Sequence, residues 1–414
     1  MGEIMKELNL KSKTIISICL FVAVFVALIL VASFCDFQIS QIMTKGSLEE
    51  GEYISHGFFA VAGEAFGTSP IYIVAALLMG IMFWFFLKVP KNKALQICGA
   101  VLSAALIVVA WWFFTKDIVG YLFEHAGNQV GAGTPGNTDV YEFRHAMGVR
   151  VTEVLVALVI GALTVFAFKG IKEEHLKKLA WFVLAAIVAA AVANLLIMII
   201  KKPVGRMRFR AINSDLGQAF INGGQVKGYT PWYIANGQPS KDIINAFIAN
   251  YPGSKDAFQS FPSGHTCAAA TSYALIMLPD VIDFKHKKLA RVLCFVCPIV
   301  ITMLVAIARI VAGAHYMSDV TFGGTIAFLS MIIAREIFVC RGSHFFALFP
   351  NLRKSKASEA PAPEAETVEI VENAVEDAPV TETELVEAEQ NSNMNIAQRE
   401  LDGVMNGLGE LPPQ

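Results

Sequence analysis

Long apolar stretches alternate with short polar segments along most of the chain. Eight of them approach the length of about 20 residues that a helix needs to cross a bilayer. They are 14–34, 70–88, 95–114, 151–168, 179–200, 264–282, 290–310 and 320–340. The sixth is the least apolar, because Thr266, Thr271, Ser272 and Tyr273 interrupt it. The pattern predicts an all-α polytopic membrane helix bundle with about eight transmembrane helices.

The charged residues between these stretches predict an orientation. Lysine and arginine concentrate at the N-terminus, in the loops 88–94, 169–178 and 283–291, and just after the last stretch. Eight crossings place all five segments on one side, which the positive-inside rule makes cytoplasmic, so both termini are expected there. The segment 35–69 carries Asp36, Glu49, Glu50, Glu52 and Glu64 against one lysine, and we assign it to an outer loop.

Composition supports a membrane protein over a soluble one. Hydrophobic residues make up 55% of the chain and charged residues 16%, whereas soluble domains average about half and about a quarter. The seven cysteines lie mostly in apolar stretches, so we interpret Cys294 and Cys297 as buried hydrophobic residues and expect no disulfide framework. The expected partner is the bilayer rather than nucleic acid, and the oligomeric state stays open.

The chain divides into three regions. Residues 1–150 are predicted to hold N-terminal transmembrane helices with outer loops, and 151–345 to form a transmembrane core. The core contains a polar insert at 211–260, which we interpret as a small folded cap; alternatively, it shapes an entrance. Residues 346–414 are rich in Ala, Glu, Pro, Val and Thr and predict a disordered acidic cytoplasmic tail.

Three polar clusters stand at the ends of apolar stretches, on the predicted outer side. They are KKPVGRMRFR at 201–210, FPSGH at 261–265 and ARIVAGAHYMSD at 308–319. Their basic residues run against the positive-inside bias, so they do not serve the topology. Ionisable groups at such places are candidates for function.

The third cluster offers a nucleophile. His315 and Asp319 are four residues apart, which on a helix places them on one face. The carboxylate could accept the Nδ1 proton and leave Nε2 as a nucleophile, with Arg309 reaching the same pocket. The alternative is a His–Asp pair that only stabilises a loop.

The second cluster predicts a turn followed by a helix start, with Ser263 as the N-cap. Free backbone N–H groups there favour an anion, Gly264 permits its close approach, and His265 could act as a general acid. The alternative is a capped turn without a ligand.

The first cluster is a group of cations: Lys201, Lys202, Arg206, Arg208 and Arg210. Arginine binds phosphate oxygens bidentately and lysine adds a point charge. The alternative, strongest for Lys202 and Arg210, is a basic stretch that contacts lipid headgroups.

Together the clusters resemble the type 2 phosphatidic acid phosphatase superfamily. Its first motif is a Lys, six residues, then Arg-Pro, which Lys201 and Arg208 match in spacing. Its second motif is Pro-Ser-Gly-His, which Pro262 to His265 match in full. Its third is Ser-Arg, five residues, His, three residues, Asp, which Arg309, His315 and Asp319 match. Two positions depart from the pattern: Phe209 replaces the motif proline and Ala308 the motif serine.

The resemblance implies a role for each residue. His315 would attack phosphorus and form a phosphohistidine, Asp319 would orient it, and His265 would protonate the leaving group. The expected phosphate ligands are Lys201, Arg208, Arg309, Ser263 and Gly264, with Arg206 as a further candidate. No metal or other cofactor is expected, and six of the about eight transmembrane helices are expected to form the phosphatase core.

We therefore expect an integral-membrane phosphatase that hydrolyses lipid phosphates or diphosphates without a metal. Its active site would lie on the extracytoplasmic face of the cell membrane. Two alternatives stay open: a lipid phosphotransferase that uses the same site, and a non-catalytic lipid-phosphate transporter or sensor.

Overall fold

The computed structural model describes residues 10–45, 57–126, 143–250 and 256–349. Within these ranges the chain forms helices and connecting turns, with no β-strand. The predicted acidic tail from residue 350 onward lies outside the described residues.

The N-terminal region contributes five helices. They are α1 (Leu10–Lys45), α2 (Phe58–Ala65), α3 (Ser69–Lys88), α4 (Lys93–Ala126) and α5 (Met147–Ala167). Helices α3 and α4 form an antiparallel hairpin, and α5 packs on α4.

The second half of the chain alternates long helices with short ones. They are α6 (Glu173–Val204), α7 (Phe209–Ile212), α8 (Asp215–Asn222), α9 (Lys241–Asn250), α10 (Gly264–Ala270), α11 (Leu278–Val281), α12 (Lys287–Val311), α13 (Met317–Ala334) and α14 (Ser343–Leu348). A 3₁₀ segment, Thr271–Met277, joins α10 to α11, and a π-helical turn, Arg335–Val339, follows α13.

Among the described residues, seven helical segments are long and apolar enough to cross a membrane. They include α1, α4, α5, α6 and α12, together with α2–α3 and α13 with its π-helical turn. Their outward faces expose large apolar side chains such as Leu195 and Met198. The protein is thus an all-α multi-pass membrane protein.

The eighth predicted stretch, 264–282, is helical but interrupted. It consists of α10, the 3₁₀ segment and α11, with seven, seven and four residues. Since a 3₁₀ helix rises about 2.0 Å per residue and an α-helix about 1.5 Å, these pieces extend about 30 Å, roughly the hydrocarbon thickness. An ion pair of 2.7 Å between Asp280 and Arg335 fixes its far end beside the end of α13.

Small residues let the helices pack closely around this interrupted segment. Ala185, Ala186, Ala189 and Ala193 of α6 are all buried. Helix α10 contacts α3, α6, α12 and α13, and its residues Thr266–Ala270 are buried. Close approach of small side chains stabilises helix pairs in lipid, where apolar burial alone gives no driving force.

The predicted outer loop 35–69 is wrong at both ends. Helix α1 continues to Lys45, so Asp36 is helical and only 1% exposed. Helix α2 contains Glu64, which is 0% exposed. Both carboxylates are buried against arginines, so they are counter-ions rather than a signal of topology. Residues 46–56 lie outside the described part of the chain.

The insert at 211–260 packs on the site rather than forming a core of its own. Phe247 and Phe258 belong to one apolar cluster with Met207, Phe209 and Tyr316, and Phe37 of α1 packs against it. The described residues of the insert thus cover the cluster-bearing end of the helix bundle.

Candidate active site

The first polar cluster spans the end of α6. Lys201 lies in its last turn, and Gly205 ends the helix with φ of +57°. A Cβ on Gly205 would lie 1.7 Å from the carbonyl oxygen of Gly237, so only glycine fits this close left-handed turn. The turn separates Lys201 from Arg208, which is the N-cap residue of α7.

The second cluster caps α10 as predicted. The Ser263 Oγ accepts hydrogen bonds from the Thr266 N–H at 3.3 Å and the Thr266 hydroxyl at 3.0 Å. A Cβ on Gly264 would lie 3.6 Å from Nζ of Lys201, and the Ser263 N–H donates to the Asp319 carbonyl at 2.9 Å. These contacts bring all three clusters together at one end of the bundle.

His315 is fully buried in the loop between α12 and α13. Its Nδ1 lies 2.7 Å from the Ser260 carbonyl oxygen. A carbonyl oxygen can only accept, so Nδ1 carries the proton and Nε2 keeps the lone pair. Nε2 is buried and has no hydrogen-bond partner among the described residues. A buried polar atom is nearly always paired, so this nitrogen is available for a ligand.

Asp319 does not hold His315 in the predicted way. The nearest carboxylate oxygen lies 3.5 Å from Nδ1, because His315 precedes α13 instead of sharing a helix with Asp319. Asp319 accepts from the Tyr316 N–H at 2.9 Å, which caps the helix, and from the Ser260 hydroxyl. It thus fixes Ser260, whose carbonyl oxygen in turn fixes His315.

His265 supplies the second imidazole. Its Nε2 is also buried without a partner among the described residues, and the histidine lies within electrostatic range of Arg309 and His315. The Tyr121 ring of α4 packs against it edge to face, with ring centroids 5.5 Å apart. Tyr121 lies beyond the predicted span 95–114, so sequence reasoning missed it.

Two of the predicted phosphate ligands are held by carboxylates. Arg208 donates to Asp256 at the end of the insert. Arg309, which is 1% exposed, donates to Glu64 of α2, and Arg210 donates to the same Glu64 oxygen at 3.1 Å. The Nε of Arg309 stays unpaired among the described residues.

Arg206, the further candidate for phosphate binding, is instead a structural ion. Its guanidinium donates to Asp36 at 2.9 Å, to Asp319 at 2.7 Å and to the Ser318 hydroxyl at 2.7 Å, while Nε donates to the Thr230 carbonyl. Its face lies 4.0 Å from the centroid of the Tyr316 ring. All three of its side-chain nitrogens therefore donate within the protein.

The pKa of His315 is held well below its usual value, because burial disfavours the charged imidazolium and because Arg208, Arg309 and Lys201 lie nearby. The free site therefore keeps this histidine neutral. The same positive field would attract an anionic ligand.

Sequence reasoning missed the buried carboxylates of the N-terminal region. Asp36 follows an apolar stretch and Glu64 lies within the apolar segment FFAVAGEAF. An ionisable residue at such a position signals a functional or paired group. The sequence analysis assigned Asp36 and Glu64 to an outer loop and therefore did not predict that they are buried and paired.

The described residues contain one group with the spacing to hold a metal ion, formed by Glu336, Cys340 and His344. His315 lies some 20 residues before it, near the other end of α13. The Glu336 carboxylate already accepts from the backbone N–H groups of His344 and Phe345, as a cap of α14.

Comparison with known families gives one match. Residues 179–342, which are 164 of the 414, match the family model of the PAP2 superfamily. We call residues 179–342 the PAP2 domain, after the family that they match. Members of the PAP2 superfamily are phosphatases, which supports the general assignment of this protein as a phosphoric monoester hydrolase. Neither the curated proteins nor the solved structures gave a match.

The two departures from the motifs of the PAP2 domain face the N-terminal helices. Phe209 is buried against Phe37 of α1, with ring centroids 5.4 Å apart. Ala308 meets Gly63 of α2 so closely that a Cβ on Gly63 would lie 2.1 Å from the Ala308 Cβ. Both residues that depart from the motifs thus pack against helices outside the PAP2 domain.

Proposed function

We propose that the protein is an integral-membrane phosphatase that hydrolyses lipid phosphates or diphosphates through a phosphohistidine on His315. The observation that carries this proposal is the buried Nε2 of His315. Its partner nitrogen is tied to the Ser260 carbonyl oxygen at 2.7 Å, so Nε2 holds its lone pair in a fixed direction among cations. Fixing the nucleophile in this way removes much of the entropic cost of attack.

The chemistry runs in two steps. The bound anionic substrate offsets the positive charge of Arg309 and Arg208, so His265 is protonated when substrate is bound. The Nε2 lone pair of His315 attacks phosphorus, and the bond from phosphorus to the leaving oxygen breaks as His265 gives that oxygen its proton. Water then attacks the phosphorus of the phosphohistidine while His265 takes a proton from that water. The bond from phosphorus to Nε2 breaks, which releases inorganic phosphate and restores neutral His315.

The cations stabilise the charge that the transferring phosphoryl group spreads over its equatorial oxygens. Lys201, Arg208 and Arg309 provide the positive charge, and the turn at Ser263 and Gly264 contributes the backbone N–H of Gly264, since that of Ser263 donates to the Asp319 carbonyl oxygen. The hydrolysis needs no metal in this mechanism. Asp256 holds Arg208 in the free site and would give way to the phosphate.

The bundle geometry supports a site on the extracytoplasmic face. The lysine-rich loops lie at the opposite end of the helices, where Lys88 donates to the carbonyl oxygens of Lys169 and Ile171. By the positive-inside rule we assign that end to the cytoplasmic side, and with it we propose cytoplasmic termini and a site on the outer face.

The test is phosphate release by detergent-purified protein in EDTA, from a panel of lipid phosphates and diphosphates. The comparison variant is His315→Asn, whose amide can still donate to Ser260 but has no Nε2. The control is His175→Ala, since His175 is half exposed at the far end of α6. We expect release by the wild type and the control, and none by His315→Asn.

A labelled substrate gives a second readout. We expect a phosphoprotein that is acid-labile and base-stable, as phosphohistidine is, and that His315→Asn lacks. Release that needs a lipid or sugar acceptor would favour the phosphotransferase. Lipid-phosphate binding without turnover by folded protein would favour the transporter or sensor.

A further inference from the structure

The two imidazoles of the proposed mechanism are held in different ways. The Nδ1 of His315 lies 2.7 Å from the Ser260 carbonyl oxygen, so a hydrogen bond fixes that ring. No hydrogen bond among the described residues involves the imidazole of His265, whose Nε2 is buried. A ring without hydrogen bonds takes its orientation from the atoms packed around it. The direction in which His265 presents its proton therefore depends on its packing neighbours.

One of these neighbours is Tyr121 of α4. Its ring packs edge to face with the His265 imidazole, with centroids 5.5 Å apart and the two planes at 68°. Aromatic rings favour this arrangement because the positive edge of one ring meets the negative face of the other. The contact therefore favours one orientation of the imidazole over others.

The second neighbour is Gly67, in the turn between α2 and α3. A Cβ on Gly67 would lie 3.1 Å from Cδ2 of His265 and 2.4 Å from the Gly63 carbonyl oxygen. Only a residue without a side chain lets the backbone of this turn approach the imidazole so closely. Tyr121 and Gly67 both belong to the N-terminal region, so the PAP2 domain does not by itself enclose its second histidine.

Asp117 ties these two neighbours of His265 together. Its Oδ2 accepts hydrogen bonds from the Thr68 hydroxyl at 3.1 Å and from the Tyr72 hydroxyl at 2.9 Å. Asp117 lies four residues before Tyr121, on the same face of α4, and Thr68 directly follows Gly67. The two hydrogen bonds therefore fix the part of α4 that carries Tyr121 against the turn that carries Gly67.

The ring of Tyr121 also lines a polar cavity of about 330 Å³. The PAP2 domain contributes Arg208 and Arg309, two proposed phosphate ligands, to the same wall, so the two regions form this cavity jointly. Tyr121 thus contacts the imidazole and also borders the space beside the phosphate ligands. A smaller side chain there would give the imidazole room to turn and would open it to water from the cavity.

We propose that Tyr121 is a positioning residue for the proton donor His265, and that Asp117 holds Tyr121 in place. The inference rests on the proposed function and adds a residue to its first step. In that step the bond from phosphorus to the leaving oxygen breaks, and the proton on Nε2 of His265 passes to that oxygen. Tyr121 keeps this N–H directed at the leaving oxygen and itself neither gives nor takes a proton.

The first experiment compares two substrates that differ in their need for a proton donor. One is an alkyl phosphate, and the other is the phosphate of a nitrophenol that carries an alkyl chain of the same length. We expect Tyr121→Leu to lower kcat/KM about 100-fold for the alkyl phosphate but only about threefold for the nitrophenyl phosphate, because nitrophenolate leaves without a proton. The ratio of the two values does not depend on how much of the variant is folded.

Two variants serve as controls for this ratio. Tyr121→Phe keeps the ring and should keep the wild-type ratio; a changed ratio would overturn the proposal, since the hydroxyl would then be the group that acts. Tyr273 is also buried in an edge-to-face contact, with the Phe328 ring at 5.0 Å, so Tyr273→Leu removes a similar ring elsewhere. An equal fall on both substrates in Tyr121→Leu, or the same change of ratio in Tyr273→Leu, would also overturn it.

Variants of Asp117 and His265 test how Tyr121 acts. Asp117→Leu loses both hydrogen bonds and should shift the ratio in the same direction by about tenfold, whereas the amide of Asp117→Asn still accepts them and should preserve it. In a protein that already carries His265→Ala, adding Tyr121→Leu should leave the ratio unchanged, because no proton donor remains to be positioned. A further change of ratio in that double variant, or an unchanged ratio in Asp117→Leu, would contradict the proposal.

Chemical modification separates this proposal from the proposed function, because it needs no turnover. Diethyl pyrocarbonate acylates unprotonated imidazole nitrogens, and mass spectrometry of the peptide that contains His265 measures the rate. Modification should be several-fold faster in Tyr121→Leu than in the wild type, Tyr121→Phe or Tyr273→Leu. That result supports the contact even if the wild type releases no phosphate. An unchanged rate in Tyr121→Leu overturns it, even if the wild type is an active phosphatase.

Discussion

The PAP2 domain and the N-terminal region serve the same site in different ways. In the proposed mechanism the domain supplies the groups that react, His315 and His265, and the cations that hold phosphate. The N-terminal region supplies anions that hold those cations, with Asp36 on Arg206 and Glu64 on Arg309. The family match, which begins at residue 179, therefore includes the proposed reacting groups but not the N-terminal carboxylates that hold the cations.

The reason for this difference is electrostatic. Arg206, Arg208, Arg210 and Arg309 are all buried. Removing a guanidinium from water costs several kcal/mol unless a carboxylate and hydrogen bonds compensate. The domain itself provides Asp319 and Asp256, and α1 and α2 provide the remaining acids. The comparison teaches that a cationic pocket needs buried anions, which need not lie in the motifs.

Replacing the nucleophile should give the largest effect and leave the fold intact. His315→Asn keeps a donor to the Ser260 carbonyl oxygen but lacks Nε2, so kcat should fall at least about 10⁴-fold. Steady-state kinetics and the unfolding temperature would be measured together. Activity that survives in His315→Asn would place the nucleophile elsewhere.

Replacing a carboxylate of the N-terminal region should instead lower the stability of the fold. Asp36→Asn removes one of the two carboxylates from the buried Arg206, and breaking such a pair costs about 3–5 kcal/mol. The unfolding transition in detergent measures this loss. Glu173→Gln is the control, because its ion pair with Lys177 is exposed and contributes at most about 1 kcal/mol. A stable Asp36→Asn would show that Asp319 alone compensates Arg206.

Replacing Glu64 should combine the two effects, because this residue belongs to the N-terminal region and holds Arg309, a proposed phosphate ligand. In Glu64→Gln the amide still accepts a hydrogen bond, but Arg309 loses its counter-ion and part of its fixed position. We expect kcat to fall about 10–100-fold with a smaller change in KM. A loss of stability with unchanged kcat in the folded fraction would make Glu64 purely structural.

The contact between the two regions at Gly63 should give a smaller effect. Gly63→Ala puts a Cβ against Ala308, so α2 must move away from α12 at a cost of about 1–3 kcal/mol. The exchange variant Gly63→Ala with Ala308→Gly restores the space and should recover part of the stability. If the exchange variant recovers no stability, the loss in Gly63→Ala comes from backbone geometry rather than from the contact with Ala308.

The pH dependence of stability should show the smallest effect. The pKa of His315 in the folded protein lies below its unfolded value of about 6.5, because burial and Arg208, Arg309 and Lys201 disfavour the cation, with Asp256 opposing them. Below pH 6.5 the unfolded chain thus binds more protons, and stability falls by at most about 1.4 kcal/mol per pH unit from this group. Unfolding at pH 7.0 and 5.5 should show a shallower fall in His315→Asn, and an equal fall would contradict this origin.

Much of the fold could be predicted because long apolar stretches have few alternatives in lipid. All eight stretches are helical, with bounds that differ by a few residues in most cases. The prediction missed the interruption in 264–282, where a 3₁₀ segment replaces α-helix, and the extension of α1 beyond residue 34. Local hydropathy reports neither a change of helix type nor the partner of a buried charge.

The motif spacing predicted which residues meet, but not how each is held. His315 and Asp319 lie near each other as expected, yet the Ser260 carbonyl oxygen holds the imidazole. Arg206 and Arg208 stand two residues apart with similar surroundings in the sequence. Arg206 is the one that is paired with Asp36, a residue 170 positions away in the chain.

The sequence by itself determined the membrane class, the helical architecture and the candidates for the reacting groups, because apolar length and motif spacing are properties of neighbouring residues. The tertiary structure alone decided the tautomer of His315, the role of each arginine and the joint cavity. Those depend on contacts between segments far apart in the chain, where burial gives each charge its strength and its partner sets its position.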